Sequence, residues 1–266
     1  MGYLSHRVDP DQLKPGDHIY TWRTAFTYSH HGIYVGENKV VHFTAPETAS
    51  SGSGWNLCSS VPSACSGSGW NLCSSVPSAC LNSIQIGQNF DLGSPLSTCE
   101  CGVHQSESGV LVSCLTHFIG TGSLYLYQYG VSKLVYVSKL RGGTCTTAPS
   151  APPQDVIYRA NTLLKIGFGA YNVVRNNCED FALYCKTSLL VSGNPTTGSS
   201  GQVNFLVNLP WKSILCIPFV SSPFVAAAGG LEVAKNYWDK YRTDIGVRYD
   251  VFKVKVEDVA LFRRGC

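Results

Sequence analysis

One cysteine in this chain stands where a thiol could act as a nucleophile. Cys178 falls within Asn176-Asn177-Cys178-Glu179-Asp180-Phe181-Ala182-Leu183-Tyr184-Cys185. Asn177 can cap a helix whose third residue is Asp180, a variant of the capping box. Phe181, Ala182, Cys185 and Leu189 then form its buried face. Cys178 is thereby expected in the first helical turn. Unpaired backbone amides and the helix dipole stabilise a thiolate there and lower its pKa. The same amides could stabilise an oxyanion. A thiol nucleophile also needs a base nearby, and the candidates are His30, His31 and His42.

These histidines lie on a predicted hairpin. Residues 31–35 and 39–44 read as strands, with Gly36, Glu37 and Asn38 supplying the turn. A simple two-residue loop at Glu37-Asn38 puts Ile33 opposite His42, and His30 and His42 then face opposite sides. One extra residue puts Tyr34 opposite His42, so that His30 joins His42 on one face and His31 points the other way. The sequence alone leaves the register open.

The rest of the chain bounds the fold that must position these groups. Its 266 residues suit one large domain or a domain with a long insertion. Hydrophobic residues make up 44%, enough for a sizeable core, and charged residues only 14% against about 25% in a typical globular protein. The net charge of +3 offers no electrostatic case for nucleic acid, which is not expected as a partner. The N-terminus carries no apolar run of signal-peptide length, and no Asn-x-Ser/Thr sequon occurs with x other than proline. Both features favour a reducing, cytoplasmic compartment in which the 12 cysteines are mostly thiols.

Further strands are predicted over residues 18–23 and 123–130. A helix is predicted over 155–166, ended by Gly167. Residues 142–154 read as a linker and 171–174 as short and extended. The stretch at about 45–122 differs from its surroundings: no Lys or Arg occurs between Lys39 and Lys133, and Ser, Gly and Cys dominate. Residues 51–65 are repeated letter for letter at 66–80, a tandem duplicate expected in an exposed loop. Beyond residue 191 comes an apolar run, 213–231, interrupted by Pro218, Pro223, Gly229 and Gly230. It reads as buried core or a packed loop, with membrane contact as the alternative. The remaining tail is expected to add a helix and a strand over 251–256.

The segments Tyr28-Ser29-His30-His31-Gly32-Ile33-Tyr34-Val35-Gly36, Val40-Val41-His42 and Asn177-Cys178-Glu179-Asp180-Phe181 resemble the lecithin:retinol acyltransferase family. The wider wording is most similar to the plant branch, the NC-domain proteins. The resemblance covers roughly residues 8–44 and 123–190 by motif. It implies an α+β fold of permuted papain-like type over residues 8–190, an antiparallel sheet packed on helices with the Cys/Ser/Gly-rich insertion, and a C-terminal extension over 191–266. His30 matches the family's general base, His42 its third, orienting residue, and Cys178 its nucleophile. Tyr28 matches a tyrosine near the family's site, without an assigned role. The implied chemistry is lipid acyl hydrolysis or acyl transfer through a Cys thioester. A phospholipid or other acyl ester is the implied substrate, with peripheral membrane contact as an option and no cofactor. Asp180 stands where the family more often has His. A cysteine peptidase or amidase on the same scaffold, and a non-enzymatic interaction or stress-response protein, are the alternatives.

Other motifs are weaker. Cys99-x-Cys101-x2-His104 followed by Cys114-x2-His117 could be read as a metal cluster, but zinc sites usually separate the first pair by two to four residues. No metal is therefore assigned. His6 and His18 lack a partner pattern and are expected at the surface or a sheet edge. No glycine-rich phosphate loop lies between a strand and a helix.

Overall fold

The computed structural model describes residues 5–23, 28–45, 104–105, 109–139, 141–192, 198–207, 235 and 237–264. The duplicate at 51–65 and 66–80, the apolar run at 213–231, Cys99 and Cys101 lie outside them. Seven antiparallel strands form one sheet: β1 (His6–Arg7), β2 (His18–Arg23), β3 (Tyr28–Gly36), β4 (Lys39–Phe43), β5 (His104–Gln105), β6 (Val110–Cys114) and β7 (Leu124–Leu126). Their order is β1-β7-β2-β3-β4-β6-β5, so the histidine-bearing strands β3 and β4 lie near the centre. Helices α1 (Leu115–Ile119), α2 (Lys133–Ser138), α3 (Pro153–Ile166), α4 (Cys178–Thr187), α5 (Gly201–Val207) and α6 (Val259–Arg264) follow. A separate pair joins β8 (Leu189–Val191) to β9 (Val251–Lys253). The molecule is thus a mixed helix and antiparallel-sheet protein.

Alternation along the strands sends successive side chains to opposite faces. Ile33, Val41 and Phe43 pack with Val156, Leu163, Phe168, Phe181 and Tyr184 in the core beneath α3 and α4. Ile19, Val40 and Leu124 face the other way and pack with Leu115 and Phe118. The β3–β4 connection is a two-residue turn with positive φ at both Glu37 (48°) and Asn38 (60°), the requirement of a type I′ hairpin.

Immediately before that turn the register shifts between Tyr34 and Gly36, so Val35 is an extra residue in β3. The consequence is that Gly32, not Tyr34 or Ile33, lies opposite His42. The parity matches the longer-loop alternative, but the extra residue sits in the strand and the loop itself is short. The bulge therefore puts His30 and His42 on one face and His31 on the other.

The insertion ends earlier than residue 122. Val110–Cys114 pairs with the whole of β4, from Lys39↔Cys114 to Phe43↔Val110, and α1 follows it directly. Alternation in Val-Leu-Val-Ser-Cys was too short to stand out from the polar sequence before it.

Candidate functional site

Asn177 organises the start of α4. Its Oδ1 accepts from the amides of Glu179 (2.8 Å) and Asp180 (3.2 Å), and its own amide donates to Asp180 Oδ2 (2.8 Å). Asn177 Nδ2 donates to Val173 O and Ser200 Oγ, tying the cap to two loops. Cys178 is the first helical residue and is fully buried.

The thiol fills a gap in the sheet. Both backbone groups of Tyr34 bond to the β2 side, through Gly16 and Asp17. Strand alternation therefore turns those of Ser29 and His31 toward β4. Pairing of β3 with β4 stops at Gly32↔His42. Cys178 takes the vacated place: its Sγ lies 3.7 Å from Ser29 O as donor and meets the His31 amide. Tyr28 OH lies 3.1 Å from the sulfur, and Tyr171 OH lies 3.3 Å from Tyr28 OH.

The histidines form a relay on the sheet face that carries Phe118. His30 Nε2 lies 2.9 Å from His42 Nδ1, and His42 Nε2 lies 3.0 Å from Ser113 Oγ. Phe118 packs against both rings, with centroids 5.3 and 5.4 Å away. Arg23 closes this side through hydrogen bonds to Phe118 O (2.6 Å) and Ile119 O (3.2 Å). Burial, with the His42 and Arg23 charges behind it, holds His30 well below the ordinary histidine range. Burial and Arg23 push His42 down to about 3. Both rings are therefore neutral at pH 7. One proton arrangement leaves His30 a base: His30 Nε2–H donates to His42 Nδ1, and His42 Nε2–H donates to Ser113 Oγ, freeing His30 Nδ1.

One expectation about the thiol needs correction. The thiol pKa is not lowered: burial pushes Cys178 up to about 11, against the hydrogen bonds from Tyr28 and the His31 amide that favour the thiolate. The resting thiol bonds to Tyr28 and Ser29, and not to His30. Tyr28→Phe is expected to push the thiol pKa higher still, because it removes the main group opposing burial. The pH profile of Cys178 alkylation measures this; a downward shift would refute the assigned direction.

His18 is also not at the surface. It is 1% exposed, with Nε2 at 2.9 Å from His31 Nδ1 and Nδ1 at 2.7 Å from Tyr129 OH. Tyr129 lies 111 residues away, which hid the pairing from any local pattern. His31 Nε2 continues to Ser29 Oγ at 2.8 Å. Burial lowers His18 strongly and His31 to about 3. Below an ordinary pKa of 6.5 the unfolded chain takes up these protons and the folded one does not, so stability falls as pH drops from 6.5 toward 3. Glu179 and Asp180, raised by burial to about 7 and about 6, act in the opposite sense above their ordinary values. With His30 and His42 added, four histidines held below their ordinary pKa outweigh two carboxyls. The melting temperature is expected to fall between pH 7 and pH 5, and thermal melts across that range check it; a rise would sink the account.

Glu179 and Asp180 do more than complement the helix dipole. Glu179 accepts from the amides of Gly201 and Gln202, each at 3.0 Å, and Asp180 Oδ2 accepts from Ser199 Oγ at 2.6 Å. Gln202 in turn accepts from Ser29 N (3.2 Å) and Ser29 Oγ (3.0 Å). Sequence reasoning missed Ser113, Arg23, Tyr171 and Gln202. None sits in a motif, and all are brought in by strand pairing or loop docking. Cys114 accepts from the His117 amide at 3.4 Å and caps α1. Among the described residues no group of three or more His, Cys, Asp or Glu could hold a metal ion, and Cys145, Cys178 and Cys185 are free thiols. Among the same residues no helix is long and apolar enough to cross a membrane.

Comparison with known proteins identifies the family. The chain is 40% identical over 264 residues to Protein LEAD-SENSITIVE 1 of Arabidopsis thaliana, covering 97% of this chain and 90% of that protein. No solved structure matches it. The family described as lecithin retinol acyltransferase matches residues 11–191, which hold β2 to β8, the histidine hairpin and the helix that begins at Cys178. The chain belongs to the lecithin retinol acyltransferase family.

Proposed function

We propose that this protein is a cysteine-dependent acyl hydrolase or acyltransferase on a permuted papain-like scaffold, acting on a phospholipid or related acyl ester. The observation that carries the reading is a helix-capped thiol held against Tyr28, Ser29 and the His31 amide of β3, the strand on which His30 begins the His30–His42–Ser113 relay. Catalysis starts from a neutral pair, since burial keeps the thiol protonated and the imidazoles uncharged. The Cys178 side chain rotates away from Ser29, and His30 Nδ1 takes the thiol proton as Sγ attacks the acyl carbonyl carbon. The tetrahedral intermediate expels the alcohol, which receives that proton from His30, and a thioester remains on Cys178. Water, an amine or another alcohol then gives its proton to His30 and attacks the thioester, and Sγ leaves as the thiol. His42 orients His30 and disperses its transient charge. We place the reaction in the cytoplasm, at a membrane surface where the acyl donor resides.

The test is acyl trapping. Protein is incubated with acyl-labelled phosphatidylcholine vesicles, and Cys178 is examined by mass spectrometry beside Cys178→Ala. Label on Cys178 that the variant lacks supports the reading. Absence of label, with peptide or amide substrates turned over instead, replaces it by a peptidase on the same scaffold.

A further inference from the structure

We propose that Gln202, a residue beyond the family-matched segment, supplies a side-chain donor to the oxyanion formed when Cys178 attacks. This rests on the acyl-transfer reading above. An acyl-transfer site needs preorganised donors aimed at the carbonyl oxygen as it becomes negative. One is ready: the Cys178 amide begins α4, has no intrahelical acceptor, and is passed over by the Asn177 cap, which serves Glu179 and Asp180.

Gln202 has the properties of a second. It is 7% exposed, and its Nε2 is buried without a hydrogen-bond partner among the described residues. A buried amide donor left unpaired is costly, commonly by about 1–3 kcal/mol, and persists where a ligand or function accounts for it. The orientation of the amide is settled by Ser29, whose backbone N–H can only donate and therefore faces Oε1. The free NH2 is thus Nε2.

Its location follows from the same residue. Ser29 N donates to Gln202, and Ser29 O accepts from the Cys178 thiol. Both groups lie along the stretch of β3 edge that β4 leaves unpaired. Gln202 and the nucleophile are therefore neighbours on one strand edge.

The position is also rigid. Glu179, next to the nucleophile, clamps the amides of both Gly201 and Gln202. A Cβ on Gly143 would come within 2.9 Å of Gln202 Cβ, and one on Gly201 within 2.9 Å of Gly143 N and 3.0 Å of Glu179 Oε1. Glycine at both places lets the two loops close on the site. The C-terminal region thereby completes a site whose nucleophile and base lie in the family domain.

The test compares Gln202→Glu and Gln202→Leu with wild type, using p-nitrophenyl butyrate as probe. Glutamate keeps both acceptor contacts to Ser29 and lacks the NH2; leucine loses both. Alkylation of Cys178 by iodoacetamide across pH serves as the second readout, because that displacement creates no oxyanion. A donor role lowers kcat by about 10²- to 10³-fold in both variants, while the alkylation rate of the thiolate stays near wild type. Glutamate turning over like wild type, with leucine alone impaired, overturns the donor role and leaves Gln202 a structural support for Ser29. Parallel losses in turnover and in thiolate alkylation overturn it also, since the nucleophile itself has then moved. Wild-type turnover no faster than Cys178→Ala overturns the acyl-transfer reading, and the donor role with it.

Discussion

Cys178→Ala is expected to abolish acyl transfer, and His30→Ala to lower it by about 10²- to 10⁴-fold, with both variants melting close to wild type. The first removes the atom that becomes the thioester. The second removes the base without removing the nucleophile, and resting alkylation should register the difference. Because the resting sulfur bonds to Tyr28 and Ser29, His30→Ala should leave the alkylation–pH profile almost unchanged while turnover collapses. His42→Ala is expected to behave similarly but less severely, since it frees His30 to rotate instead of removing it. Ser113→Ala touches only the far end of the relay and should cost least. Initial rates on an acyl ester, read beside alkylation and thermal melts, decide the matter. Turnover retained by Cys178→Ala, or a loss below about tenfold in His30→Ala, would remove these residues from their roles.

The largest stability effect is expected at Phe181. Its side chain is fully buried, edge-to-face with Phe168 at 5.5 Å and tilted against Phe43 at 6.3 Å. It lies one turn after Cys178 and pins α4 to β4. Phe181→Ala deletes an aromatic ring from a closed cluster, at a cost of about 3–5 kcal/mol. For a domain of this size that corresponds to a melting temperature lower by about 10 °C. Thermal unfolding followed by circular dichroism measures it, and a change of only a degree or two would show that the cluster repacks. Exposed Tyr158, on the outer face of α3, provides the contrast: its ring is 58% exposed, so truncation there should change stability little.

Much of the site was legible because its signals are local. Asn177, Cys178 and Asp180 lie within four residues, and the capping geometry they predict is the one observed. The strand over residues 18–23 and the helix ending at Gly167 rest equally on short-range periodicity and a terminating residue. The hairpin was legible as a hairpin but not in register. Whether His30 meets His42 turned on Val35, and nothing in Ile-Tyr-Val-Gly marks which residue will bulge.

Charge state was the least legible property. A cysteine at a helix N-terminus reads as an activated thiolate, yet desolvation here outweighs the hydrogen bonds from Tyr28 and the His31 amide and leaves a thiol. Burial is a property of the assembled sheet, helix and C-terminal loop together. His18 illustrates the same limit, because its partners His31 and Tyr129 come from another strand and from the loop after β7.

By itself the sequence determined the residue types and the local elements that carry them: the capped helix, the histidine hairpin, and the wording that places the chain in its family. Those depend on contacts spanning a few residues, where spacing and geometry are the same thing. Tertiary structure alone decided that the thiol fills the place of an absent strand, that the relay ends at Ser113, and that Gln202 reaches Ser29 from 173 residues away. Such contacts join segments whose separation along the chain carries no information about their distance in space.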